Sequence, residues 1–279
     1  MSNYKILIIR NKTNMLVGSG KANFGIVDQL VQRDVTTGFP NVNASGIKGA
    51  FKEFLTNNNP GAANIKEIFG SEKGNDDSQT GAYHFFNADL LSIPVRCNKT
   101  PFLNATCPLL IDRFLEMCRH FEIAIDKALK NDLDTLSGLV VNDADSFVFD
   151  AAYKGAAMED EDIFSPAAVA AFDLGTELKN LLGEKLILVS DKIFKMITSD
   201  LFLPVIPRNS LGENKNLWYE QVVPRESRFF TFVYAENQWK NFYSCFTDKT
   251  VQIGSNATIG YGWCGIKTID DVISSNKNA

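Results

Sequence analysis

Asp28 is a lone acid between apolar Val27 and polar Gln29, in a stretch made mostly of turn formers, apolar residues and cations. Gly18-Ser19-Gly20-Lys21 precedes it. Arg33, the Gly38-Phe39-Pro40 turn and Ser45-Gly46-Ile47-Lys48-Gly49 follow, the last opening a helical pattern. Backbone amides and cations in one short segment suit a phosphate chain. A carboxylate among them is costly unless it has a task there, or is paired with Arg33 or Lys48. Two readings therefore stand: a working acid on a polyanion-binding loop, or a loop acid consumed by a cap or salt bridge.

Other chemistries are excluded by what is missing or misplaced. With two histidines, His84 and His120, a three-histidine zinc site is impossible, and a two-histidine ribonuclease would need both. His120 follows Arg119 at the end of an expected helix, where a cation suits the dipole. Gly18–Lys21 is not a nucleotide P-loop, because Met15 stands where glycine is required and Ala22 where a hydroxyl must hold magnesium. Gly260-Tyr261-Gly262-Trp263-Cys264-Gly265 matches a dinucleotide fingerprint literally, but only 14 residues follow it, too few for a βαβ unit. No serine or cysteine sits in a nucleophile elbow. Glu159-Asp160-Glu161-Asp162 lacks the spacing and glycine of a calcium loop and reads as a solvated acidic loop. The five cysteines form no C-x-x-C pair and read as reduced thiols of a cytoplasmic chain.

The elements that must position Asp28 follow from periodicity. Tyr4–Arg10 is a mostly apolar run, suited to a buried central strand rather than a signal peptide. Residues 11–44 form a long irregular excursion, a length that is usually functional. Ile47, Ala50, Phe51, Phe54 and Leu55 have helical spacing, which predicts a helix over Ala44–Leu55. Further helices are expected at Ile65–Phe69, Leu109–Phe121, Ala167–Leu182, Asp191–Thr198 and Asn237–Phe246. Strands are expected at Ala82–Val95, Leu139–Val141, Phe147–Phe149, Leu186–Val189, Leu217–Val223, Phe229–Tyr234, Val251–Ile253 and Trp263–Ile269. Several strand pairs are hairpin-like, which favours an α+β, ferredoxin-like plan over a parallel doubly wound sheet. No run approaches the ~20 apolar residues of a membrane span. The net charge is −5. It is unevenly spread: residues 1–52 carry seven cations against two acids, and residues 126–177 twelve acids against three lysines. One end is suited to a polyanion and the other to a basic partner.

Five blocks then agree, in order and spacing, with one family. They are Gly18-Ser19-Gly20 with Gly25-Ile26-Val27-Asp28-Gln29 and Gln32-Arg33; Thr37-Gly38-Phe39-Pro40 with Ile47-Lys48-Gly49; Ile68-Phe69-Gly70, Ala88-Asp89-Leu90-Leu91 and Pro94-Val95-Arg96; Leu217-Trp218-Tyr219-Glu220 with Pro224; and Gln252-Ile253-Gly254 with Thr258–Gly262. The chain resembles the RAMP superfamily, and within it the backbone subunits of type III-B CRISPR (Cmr) effector complexes. The resemblance implies one RAMP domain over 1–279. That domain is a ferredoxin-like (RRM-type) palm, with a thumb β-hairpin inserted at about 11–44 and a variable acidic insertion at about 97–183. It implies copies stacked head to tail along a guide CRISPR RNA, beside other Cmr subunits. It also implies metal-dependent endoribonuclease activity within the assembled complex, with Asp28 as catalytic acid and holder of Mg2+ or Mn2+. The alternative is the same scaffold without cleavage; a guide-processing ribonuclease is a third reading, disfavoured by the scarcity of histidine.

By the same resemblance RNA lies along Gly18, Ser19, Gly20, Lys21, Arg33, Ser45, Lys48, Trp218, Tyr219, Gly254 and Gly260, with Trp218 and Tyr219 either stacking bases or filling the core. Lys48 and the Ser45 and Gly46 amides would meet guide phosphates at the mouth of a helix. Glu220 has a weaker claim as a second catalytic acid. The chain departs from some relatives in having Met15-Leu16-Val17 where a histidine precedes the glycine turn, and Asn87 where aspartate is common.

Overall fold

The structure is a computed structural model describing residues 3–20, 25–58, 64–71, 79–159, 164–166, 168–209, 217–236, 242–246 and 249–274. In chain order the elements are β1 (Tyr4–Asn11), β2 (Asn41–Val42), α1 (Ala44–Asn58), α2 (Ile65–Phe69), β3 (Tyr83–Phe85), β4 (Ala88–Val95), β5 (Leu103–Thr106), α3 (Pro108–His120), α4 (Lys127–Ser137) and β6 (Ser146–Val148). They continue with β7 (Ala168–Val169), α5 (Thr176–Leu182), β8 (Leu186–Val189), α6 (Asp191–Ile197), β9 (Val205–Asn209), β10 (Leu217–Gln221), β11 (Arg228–Ala235), β12 (Thr250–Gln252), β13 (Trp263–Thr268) and α7 (Ile269–Ser274).

The centre of the molecule is the antiparallel run β13-β1-β11-β4. Taken in chain order, the strands β1, β4, β11 and β13 lie in the spatial order 4-1-3-2, with α1 in the first crossover. This is the ferredoxin-like arrangement expected of the palm. The middle of β1, Ile6–Ile9, is apolar because it is buried on both faces. Leu7 and Ile9 point to one core with Ile47, Phe51, Phe229 and Val233, whereas Ile6 and Ile8 point to another with Phe114, Leu129, Leu178, Phe230 and Phe232. The second crossover returns to the α1 face, where the Phe51 and Phe246 rings lie 4.8 Å apart. The sheet extends through β5, β8, β6 and β7, and α3, α4 and α5 from the same stretch of chain cover the second face.

Four expectations are corrected. Ala82–Val95 is two strands: the chain breaks at Phe86-Asn87, where the Asn87 side chain turns to accept the Ala44 amide at the start of α1 (2.8 Å). Leu139–Val141 is not a strand, because the Asp145 carboxylate takes the Val141 and Asn142 amides and closes a local turn. Within Ala167–Leu182 only Thr176–Leu182 is helical; Ala168-Val169 pairs with β6 and Gly175 caps the helix, while Ala167 lies outside the described residues. Of Asn237–Phe246, residues 237–241 lie outside the described set, and Ser244–Phe246 forms a 3-10 turn.

Asp89 on β4 carries a pH signature. Burial pushes its carboxyl up to about 6, against the opposing pull of Arg113, 3.8 Å away. The folded form therefore holds its proton more tightly than the unfolded chain, near pH 4. Stability is expected to fall as pH rises from about 4 to about 6 and to be flat above. Asp89→Asn should add about 2 kcal/mol at pH 7.5 and almost nothing near pH 4. Chemical denaturation at both values checks this; an equal effect at both would contradict it.

Candidate active site

The thumb segment is built on hydrogen bonds rather than on long strands. After β1 the Lys12 amide donates to the Trp263 carbonyl (2.7 Å), and Met15 and Val223 exchange two bonds of 2.9 Å. The outgoing limb then runs antiparallel to the returning one: Ser19 donates to Leu30 (3.0 Å), Gln32 to Val17 (2.7 Å), and Gly18 bridges Val31. Gly20 has a positive φ of 68°, a conformation open to glycine. Lys21 lies outside the described residues.

The returning limb docks Asp28 on β10. The Asp28 amide donates to the Tyr219 carbonyl (3.0 Å), and the Tyr219 amide donates to Asp28 Oδ2 (2.8 Å). Gln221 then donates to the Gln29 carbonyl (2.8 Å), and Gln29 bridges Glu220 in parallel. One carboxylate oxygen is thus fixed by a main-chain amide while the residue stays exposed. No described cation pairs with it: Arg33 bonds Asp200, and Lys48 makes no ion pair with Asp28. Among the described residues the expected ion pair with Arg33 or Lys48 is therefore absent, while the carboxylate does take one main-chain amide.

Glu220 lies one residue beyond Tyr219 and is only 3% exposed. Its oxygens receive Trp218 Nε1 (2.9 Å), Arg208 Nε (3.2 Å) and Asn256 Nδ2 (3.1 Å). Arg208 also stacks over the Tyr261 ring, 4.8 Å from its centre. Glu220 is a strut that ties β9 and β10 to the 254–262 turn; it is not a second open carboxylate. Trp218 and Tyr219 are half-buried above it.

The glycine turn closes on the base of the thumb. Ser255 donates to Leu16 (2.8 Å), and Gly262 to Asn14 (2.8 Å). Gly254 (φ 91°) and Gly260 (φ 84°) both have left-handed backbones, and a side chain on Gly254 would begin 2.4 Å from the Leu16 carbonyl.

Arg33 is committed to the fold. Its guanidinium binds Asp200 (2.7 Å) and the carbonyls of Gly38 (2.8 Å) and Thr198 (2.7 Å), clamping the thumb's return to α6. Arg33→Ala is expected to destabilise the protein by about 1–3 kcal/mol and to raise amide exchange over residues 28–33. Unchanged exchange there would contradict the clamp.

At the mouth of α1, Ser45 is exposed and Lys48 half-buried. The Gly46 amide, read from sequence as a phosphate donor, already bonds the Asn43 carbonyl (2.9 Å). His84 lies on β3 against Tyr234, and His120 ends α3 against Phe121. Neither is on the thumb or β10. The structure thus joins Gly18, Ser19, Asp28, Trp218, Tyr219 and Gly254 in one hydrogen-bonded assembly, and leaves Ser45 and Lys48 on the adjoining helix. Sequence reasoning missed the supports: Arg208, Asp200, Asn256 and Gln221, whose Oε1 accepts the Val31 amide (3.2 Å).

Among the described residues no three His, Cys, Asp or Glu side chains gather as a metal cage. The exposed Asp28 carboxylate is a hard oxygen donor of the kind that fits a divalent ion held mainly by phosphate oxygens and water.

The chain is similar over nearly its whole length to proteins of one family. The Pyrococcus furiosus protein named CRISPR system Cmr endoribonuclease Cmr4 is 24% identical over 92% of this chain and 92% of its own length. A chain of the type III-B Cmr-beta complex in its apo state superposes with a TM-score of 0.81 at 22% identity, over 96% of this chain and 98% of that one. A chain of the same complex bound to cognate target RNA gives 0.77 at 23% identity, with the same coverage. The profile of the RAMP superfamily matches residues 8–265, and the chain belongs to that superfamily.

Proposed function

We propose that the protein is a backbone subunit of a type III-B CRISPR effector complex. In this reading it binds guide CRISPR RNA, stacks head to tail with copies of itself beside other Cmr subunits, and cuts complementary target RNA at regular intervals. The observation that carries the reading is Asp28: an exposed carboxylate on the thumb segment, fixed by the Tyr219 amide and with no cation partner among the described residues. The likeness to an endoribonuclease over nearly the whole chain supports it.

The chemistry is transesterification. The target's 2′-oxygen attacks the adjacent phosphorus, the bond to the 5′-oxygen breaks, and a 2′,3′-cyclic phosphate and a 5′-hydroxyl result. The 2′-hydroxyl proton leaves as that bond forms, and the leaving oxygen takes one up. The protein's task is alignment of the three atoms, which lowers such barriers by several kcal/mol. The thumb carries Asp28 to the target strand, while Gly18, Ser19 and Gly254 let backbone approach it. Lys21, Ser45 and Lys48 are assigned to phosphates, Trp218, Tyr219 and Gly260 to the flanking RNA surface, and Arg33 to holding the thumb. Asp28 would hold a magnesium or manganese ion with the phosphate, and that ion would supply Lewis-acid polarisation. The alternative role for Asp28 is to orient the 2′-hydroxyl directly.

The complex copurified with its RNA is expected to cut a complementary RNA into fragments of constant spacing. The isolated chain should leave repeat RNA intact. Cutting of repeat RNA by the isolated chain would favour guide processing instead. No helix among the described residues is long and apolar enough to cross a membrane; a cytoplasmic location is proposed with the function.

A further inference from the structure

The charge distribution does not end at the thumb. A cavity of about 480 Å³ opens at the end of the palm sheet, lined among the described residues by seven cations and two acids, Glu184 and Glu226. Its walls include Arg10 and Lys12 at the end of β1, Arg228 at the start of β11 and Lys267 on β13. Strand alternation sets these residues on the face of Ile8 and Phe230, opposite the face that packs α1. The cavity is therefore a different surface from the Asp28 assembly.

Its floor is electrostatically unbalanced. Arg10 and Arg228 stand directly opposite each other in the β1–β11 register. Like charges in that relation are destabilising. The Glu226 carboxylate is taken by Arg10, whose Nε lies 2.8 Å from Oε2. Arg228 is left with the Glu226 main-chain carbonyl (3.1 Å), although it is only 5% exposed and its Nε has no partner. Gly265 pairs with Arg10 on the other side, and the Lys12 side chain passes 3.5 Å from where its Cβ would stand. Burial first, and Arg10 second, push Arg228 down to about 10 and lower Lys12 as well. An anion placed there would relieve each of these costs. Two guanidinium forks favour a phosphate over a simple halide, and the volume lies within the range of about 300–1,000 Å³ for small-ligand pockets.

We propose that this cavity is a second phosphate-recognition site, taking the phosphoryl group of a nucleotide or of an RNA strand on Arg10, Lys12, Arg228 and Lys267. The assignment is independent of cleavage at Asp28. The test is calorimetric titration of the full chain in 50 mM KCl with inorganic pyrophosphate, ATP and a ten-nucleotide single-stranded RNA. At least one probe is expected to bind with a dissociation constant of 1 mM or tighter. Lys12→Glu/Lys267→Glu changes two exposed residues and should weaken that binding at least tenfold, with an unchanged circular dichroism spectrum; Asp28→Ala should leave it unaltered. Pyrophosphate or ATP binding that is lost in the double variant assigns a free nucleotide. RNA binding alone, lost in the same way, assigns an RNA phosphate. Lys12→Gln/Lys267→Gln repeats the comparison without reversed charge. Failure of all three probes to bind, or binding undiminished in both double variants, overturns the proposal.

Discussion

Asp28→Ala in the assembled ribonucleoprotein is expected to slow target cleavage by about 10²–10⁴-fold, the span typical for a positioned acid or base. Guide and target binding should stay within about twofold, because one exposed loop carboxylate contributes little to a phosphate-dominated interface. The Ala variant also loses the bond from the Tyr219 amide. Asp28→Asn separates the two effects. An asparagine carbonyl accepts the same amide, so the thumb keeps its dock on β10 while the charge and the second anionic oxygen are gone. If the charge does the work, the Asn variant is as slow as the Ala variant. If Asp28 only fastens the thumb, Asn restores cleavage. Gel analysis of end-labelled target RNA, with binding measured in parallel, reads both. Unchanged cleavage in the Ala variant would leave a scaffold without the proposed active residue.

The second large effect is expected in the glycine turn. A Cβ on Gly262 would lie 1.9 Å from the Ile253 carbonyl oxygen, at a φ of 72°. Gly262 cannot move away, because its carbonyl accepts the Ile253 amide (2.8 Å) and its own amide binds Asn14 (2.8 Å). Gly262→Ala must therefore break the link between turn and thumb base, at a cost of more than about 3 kcal/mol. Gly260→Ala is the control. Its φ of 84° carries backbone strain, but nothing lies within 4 Å of the new methyl. It should cost only about 1–2 kcal/mol. Urea denaturation of both variants tests the contrast; equal losses would mean that the clash is absorbed elsewhere.

The palm was legible because its strands are buried on both faces and read as apolar runs, and because α1 and α3 repeat their apolar residues at helical spacing. α4 escaped because the stretch from 126 to 177 was read first for its acidic charge, although Asp126 caps the helix by accepting the Ala128 and Leu129 amides (2.8 and 3.1 Å) ahead of Leu129, Leu133 and Leu136. β9 escaped because it is mostly exposed and contains Pro207, so it shows neither burial nor ladder propensity. Asp28 was legible as an acid out of place among glycines and cations. Its partner was not: Tyr219 is 191 residues away, and the tie is through main chain, which no side-chain pattern encodes. Arg33 shows the converse. A cation in a basic loop suggests RNA, but folding brings Asp200 and two carbonyls to it first. The basic front of the chain likewise divides in three dimensions. Arg10 and Lys12 leave the thumb and join Arg228 and Lys267, an assembly visible only once strand register is known.

The most direct test is the structure of the assembled complex with guide RNA and a target made uncleavable by 2′-deoxy substitution at the cut sites. The account predicts Asp28 beside the substituted nucleotide, its carboxylate within about 5 Å of the scissile phosphate, close enough to share one hydrated metal ion with it. A target strand that passes over another face, with Asp28 turned to solvent, would contradict it.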